Sequence, residues 1–266
     1  MAYRLRAWRC NRLALLVVLL VARAGLALDA ETARLVDLTH PFDDSTVYWP
    51  TARRFHLEPV AHGKSPGGWW YAANDFCAAE HGGTHLDAPI HFAEGGWTAD
   101  EIPLDRLRGP AVVIDVASRA ATDRDLLIRV DDLRAHEAIH GRIPDGAVVL
   151  LRTGWSSRWP DLTSYLGTAV PGDVAHLHFP GLSEEAARWL VTERRVHGVG
   201  IDTASIDRGA SKDFRAHRAL AGASVAIFEN LDALESVPPR GGVFLGLPMK
   251  IRGGSGGPLR AVVLLP

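Results

Sequence analysis

Between positions 81 and 92 the chain reads HGGTHLDAPIHF. Three histidines and an aspartate, His81, His85, Asp87 and His91, fall within eleven residues, interrupted by Gly82-Gly83 and Pro89. All four carry odd numbers, so an extended strand would put them on one face. Yet ten residues of strand span about 33 Å, too far for His81 and His91 to meet. The chain must turn here. Paired glycines admit unusual backbone angles, and proline fixes one. The breaks therefore fold a linear string of donors into a cluster. Imidazole with carboxylate suits Zn2+ or Mn2+ and argues against an all-thiolate structural site. Any one of these histidines alone reads as a polar residue satisfied in a turn. The four together, with these breakers, point to metal.

The second half of the chain offers further candidate ligands. SVAIFENL (224–231) is an apolar run that ends near Glu229, and a carboxylate there is costly to bury unless paired or metal-bound. His217 precedes it in HRALAG (217–222). Similar runs recur as LVDLTH (35–40), AVVIDV (111–116), AVVLLRTGW (147–155), HGVGIDT (197–203), GVFLGLP (242–248) and LRAVVLLP (259–266). Several are continuous rather than alternating, which predicts strands buried on both faces. Two stretches read as helices, VDDLRAHEAIHG (130–141) and SEEAARWLVTERR (183–195), the second with Ser183 as N-cap. GGSGG (253–257) reads as a loop between the last two strands. Strands mixed with a few helices give an α/β or α+β chain. With 266 residues, 47% of them hydrophobic, a substantial core is within reach.

The start of the chain has another character. Four arginines in MAYRLRAWRCNR precede the apolar run LALLVVLLV (13–21) and the small residues of ARAGLALDA. That order describes a secretory signal peptide over residues 1–27, leaving 28–266 as one domain, secreted or held in a secretory-pathway lumen. The apolar run is shorter than the about 20 residues a spanning helix needs, so no membrane association is expected once the leader is removed. Of 29 basic residues, five arginines lie in 1–27, so 24 face 31 acidic ones in the remainder, a net charge of −7. This balance disfavours a nucleic-acid partner. Only Cys77 remains beyond the leader, which excludes an intrachain disulfide there.

HGGTHLDAPIHF resembles the H-x-G-T-H-x-D-x-P-x-H motif of the metal-dependent cyclase family, which includes bacterial-type kynurenine formamidase (arylformamidase) and isatin hydrolase. DLTHPFDDSTVYWP (37–50), LLRTGW (150–155), HFPGLS (178–183), GIDTASID (200–207) and GLPMKIRGGSGGPLRAVVL (246–264) resemble family segments in the same order. The resemblance implies an α/β fold, a layered β/β/α swivelling-type domain, assembled as a dimer or tetramer. In the formamidase branch it implies two zinc ions; isatin hydrolase works with manganese. Carried over, His81 and His85 bind the first metal, His217 the second, and Asp87 and Glu229 bridge both. His91 is the general acid/base, and Trp49 contacts an aromatic small-molecule substrate. The implied reaction is attack of metal-activated water on an amide, most readily N-formylkynurenine. A cyclic amide or lactone such as isatin is the near alternative, and a secreted non-catalytic binding protein the alternative of another class. Asp202 is expected as a loop cap or a partner of a ligand histidine, His176 and His178 as structural loop residues, Cys77 as a small buried residue, and Trp69 and Trp70 as pocket lining or packing.

Overall fold

The computed structural model describes residues 32–266, so the expected leader lies outside the described residues. The strands are β1 (Arg34–Asp37), β2 (His56–Lys64), β3 (Trp70–Cys77), β4 (His85–Asp87), β5 (Arg108–Asp115), β6 (Leu127–Ile128), β7 (Val148–Arg152), β8 (Gly181–Leu182), β9 (Gly198–Ile201), β10 (Ala226–Glu229), β11 (Gly242–Pro248) and β12 (Gly256–Leu265). The helices are α1 (Ala117–Ala120), α2 (Val130–His140), α3 (Leu162–Leu166), α4 (Glu184–Arg194) and α5 (Arg215–Ala221).

Each apolar run noted in the sequence contributes a strand to one mixed sheet, in the order β1-β12-β11-β5-β7-β9-β10-β4. β5, β7, β9 and β10 run parallel to their neighbours in that series. β4 pairs antiparallel with β10 on one edge and with the start of β12 on the other. The sheet thereby closes on itself into a barrel-like mixed α/β fold.

Continuous runs suit this closure because both faces are covered. Val149 and Leu151 of β7 pack with Leu133 of α2, Leu190 of α4 and Leu220 of α5. Val148 and Leu150 point the other way, to Phe228, Phe244 and Val263 inside the sheet. Each such side chain contributes about 1.5–3 kcal/mol when fully buried. Gly200 makes room inside: a Cβ there would come within 2.6 Å of Leu231 Cδ1 and 3.0 Å of Leu150 Cδ2.

Both helices read from the sequence form, and Ser183 Oγ accepts the N–H of Ala186 as N-cap. GGSGG is only partly loop: Gly256 and Gly257 open β12, because β4 pairs with them directly. The β2–β3 hairpin was not legible, since its residues face solvent on both sides and show no burial pattern. Trp69 and Trp70 lie exposed on it, so they neither line the cavity nor pack in the core. Cys77 is exposed as well, with Arg53 Nη1 3.0 Å from its sulfur. No helix of the described residues is long and apolar enough to cross a membrane.

Candidate metal centre

The donor string folds as its breakers demand. Gly83 takes φ +58°, and Gly82 bridges to Tyr48 so closely that a Cβ would overlap that ring. β4 then runs for only three residues before Pro89 opens a 3-10 turn that ends at His91. This turn brings His91 back over His81, with ring centroids 3.9 Å apart and planes 19° from parallel.

The neighbouring strand supplies the next donor. His85 of β4 is the register partner of Glu229 of β10, so the two side chains share a face. His85 Nδ1–H donates to Gly83 O at 3.0 Å, which turns Nε2 toward Asp87 Oδ1 (3.2 Å) and Glu229 Oε2 (3.6 Å). His81 Nδ1 lies 2.6 Å from Asp87 Oδ1.

His217 comes from α5. Asp207 accepts the N–H groups of Ala216 and His217 at that helix's start and the Nδ1–H of His217 at 2.7 Å. One carboxylate thus caps the helix and aims His217 Nε2 at Asp87 Oδ2 and Glu229 Oε1, both at 3.1 Å. Asp207 was missed in the sequence, although it ends the GIDTASID segment. Asp202, five residues earlier, takes the loop-cap role instead, accepting from the N–H groups of Thr153, Gly154 and Trp155 at 2.7–3.1 Å.

Two groups of donors result, His81 with His85 and Asp87, and Asp87 with His217 and Glu229. Within each, the ligand atoms lie within 4.8 Å of one another. Asp87 belongs to both. His85, Asp87, His217 and Glu229 are all buried. Burial opposes the charged form of His217, yet the hydrogen bonds its ring donates to Asp207, Asp87 and Glu229 outweigh it and hold its pKa well above the usual imidazole value. Burial and the neighbouring Asp87 charge push Glu229 up. Burial also works against charge on Asp87, but hydrogen bonds from His217, His81 and His85 hold it well below the usual carboxylate range. Desolvating such charges costs several kcal/mol per ion, and two buried carboxylates among three imidazoles are the donor set a divalent cation offsets. The residues present fit a metal.

These donors floor a cavity of about 310 Å³, whose walls include Tyr48, Trp49, Phe92 and Phe214. Trp49 stands half-buried, 6.2 Å from the Phe214 ring. His91 also lines the cavity while staying solvent-exposed; desolvation by the protein packed around it pulls its pKa down to about 4. Among the described residues no protein group hydrogen-bonds its ring nitrogens. Asn230 helps set the loop, donating to Gly83 O at 2.7 Å while Tyr165 OH donates to its Oδ1 at 2.8 Å. His176 and His178 pair instead with Asp173 and Asp125, away from the cavity.

The Cyclase family description matches residues 36–208. The chain belongs to the Cyclase family. Among family relatives, the isatin hydrolase of Roseibium aggregatum is 34% identical over 208 residues, 75% of this chain and 77% of that protein. The kynurenine formamidase of Salinibacter ruber is 29% identical, over 86% of this chain and 96% of that protein. The solved isatin hydrolase A of Ralstonia solanacearum superposes with a TM-score of 0.80 at 37% identity, covering 91% of this chain and 95% of that one. A structure described as a potential metal-dependent hydrolase with cyclase activity gives a TM-score of 0.65 at 26% identity, over 88% and 98%. The family reading made from HGGTHLDAPIHF thus holds.

Proposed function

We propose that this chain is a metal-dependent hydrolase of amide bonds whose nitrogen sits on an aromatic ring. One observation carries the reading: two groups of metal donors sharing Asp87 floor a cavity walled by aromatic side chains. His81 and His85 would hold one ion and His217 the other, with Asp87 and Glu229 between them. Zn2+ is the proposed metal, and Mn2+ suits the same donors. A divalent ion supplies Lewis acidity there and brings a water's pKa near 7. The protein's own part is to hold, orient and move protons. Asp207 keeps His217 aimed inward. His91, neutral at pH 7, takes a proton at a ring nitrogen and returns it to the leaving amine. Trp49, Phe92 and Phe214 pack on the substrate ring and exclude water.

Two substrates share this anilide chemistry. Similarity to the isatin hydrolases favours isatin. The complete second donor group, Asp87 with His217 and Glu229, favours the two-zinc formamidase branch and N-formylkynurenine. Comparing kcat/KM for the two on the zinc-loaded and manganese-loaded protein decides between them. Turnover of at least one is expected; a folded, metal-loaded protein that turns over neither refutes the anilide reading and leaves a binding protein.

A homo-oligomer belongs to the same proposal. Leu57, Val60, Trp69, Trp70, Tyr71 and Phe76 of the β2–β3 hairpin are 47–65% exposed. An isolated two-stranded hairpin is marginal in water, and apolar patches of this kind mark contact surfaces. A second copy of the chain is the proposed cover. The basic, apolar and small-residue order of residues 1–27 supports secretion or lumenal residence.

A further inference from the structure

His81 rests on two residues outside both donor groups, Glu80 and Ser255. Ser255 directly precedes β12, 174 residues from His81 in sequence. Its Oγ lies 2.8 Å from His81 Nε2 and 2.6 Å from Glu80 Oε2. Its N–H donates to the same Glu80 oxygen at 3.0 Å. On the other side of the ring, His81 Nδ1 is 2.6 Å from Asp87 Oδ1. Flipping the ring would set carbons against both partners, so this orientation is the one with matched polar groups.

The donors then run in one direction. A carboxylate only accepts, so the Ser255 hydroxyl hydrogen points to Glu80. The Ser255 lone pairs are left to receive Nε2–H of His81. With one proton fixed on Nε2, Nδ1 faces Asp87 with a second proton in the metal-free chain, and gives that proton up where a metal ion takes its place. Glycines permit the approach: a Cβ on Gly256 would come within 2.6 Å of His81 Cε1, and one on Gly254 within 2.8 Å of Glu80 Oε1.

We propose that Glu80 and Ser255 are positioning residues, which lock His81 in the Nε2–H tautomer with Nδ1 as its metal-binding atom. This inference rests on the metal-centre reading above. Losing such a partner costs about 10–100-fold in metal affinity.

The test is a titration of Mn2+ into the metal-free full chain, followed by electron paramagnetic resonance, for wild type, Ser255→Ala, Glu80→Gln and Ser255→Thr. Ser255→Ala and Glu80→Gln should weaken the equivalent held by His81, His85 and Asp87 by about 10–100-fold and leave the His217 equivalent unchanged. Ser255→Thr, which keeps the hydroxyl, should bind like wild type. In the zinc-loaded wild type, long-range 1H–15N correlations should find the His81 proton on Nε2. Wild-type affinity in both Ser255→Ala and Glu80→Gln, or a proton on Nδ1, overturns this inference alone. Equal loss of both equivalents with a lowered melting temperature marks a fold defect and also overturns it. A wild-type chain that binds no ion overturns the metal centre as well.

Discussion

Asp87 is asked to do more than any other side chain. It faces three histidines, at 2.6 Å for His81, 3.2 Å for His85 and 3.1 Å for His217. Asp87→Ala should therefore release both ions, measured by metal analysis after gel filtration, and should reduce turnover to background. His91 makes the opposite prediction, because it touches the ligand rings but is not placed as a ligand. His91→Ala should keep the metal content and lower kcat by about 10²–10⁴-fold, the usual worth of a general acid/base. Wild-type kcat in that variant would remove His91 from the reaction. The four residues of the 81–91 string were legible because they are neighbours in sequence and the breakers between them dictate a turn. Glu229 was legible as a carboxylate at the end of an apolar strand. Asp207, Ser255 and Glu80 were not, because each acquires its meaning from a contact that only the folded chain makes. Ser255 meets His81 across 174 residues, and nothing around GGSGG marks its serine as a partner for a histidine.

Among the elements, β4 is the keystone. Pairing with both β10 and β12 closes the sheet and sets His85 opposite Glu229. It could not be read as a strand in advance, since three residues between a Gly-Gly pair and a proline show no periodicity. The longer apolar runs were legible because two-sided burial leaves a continuous signal. The α2–α4 layer behind the sheet is tied by Glu137, which receives Arg194 through two contacts of 2.6 and 2.7 Å and the Ile143 N–H at 2.7 Å. The Arg194 hydrogen bond holds the Glu137 pKa below the usual carboxylate value. A depressed carboxylate stabilises the fold fully above its unfolded pKa, about 4.3, and this is lost as pH falls through the lower folded value. Glu137→Gln should destabilise by about 1.5–3 kcal/mol at pH 7. The difference in melting temperature from wild type should shrink toward pH 3. A difference unchanged with pH would show that the charge is not what matters.

At the scale of the molecule, the exposed hairpin and the buried donor cluster meet in one chain segment. β3 ends at Cys77, and Glu80 and His81 follow within four residues. A hairpin held by a second copy would thus steady the root of the metal centre. Replacing Trp70 and Phe76 by lysine should convert the oligomer to monomer in light scattering; an unchanged mass would place the interface elsewhere. A divalent metal held by His81, His85, Asp87, His217 and Glu229 is what would make this chain an amide hydrolase. The most direct measurement is the initial rate of hydrolysis of isatin and of N-formylkynurenine as Zn2+ is titrated into the metal-free full chain. No turnover is expected without metal, then a rise with added zinc and a plateau near two equivalents. Full turnover by the chelator-treated, metal-free protein would show that the reaction needs no metal.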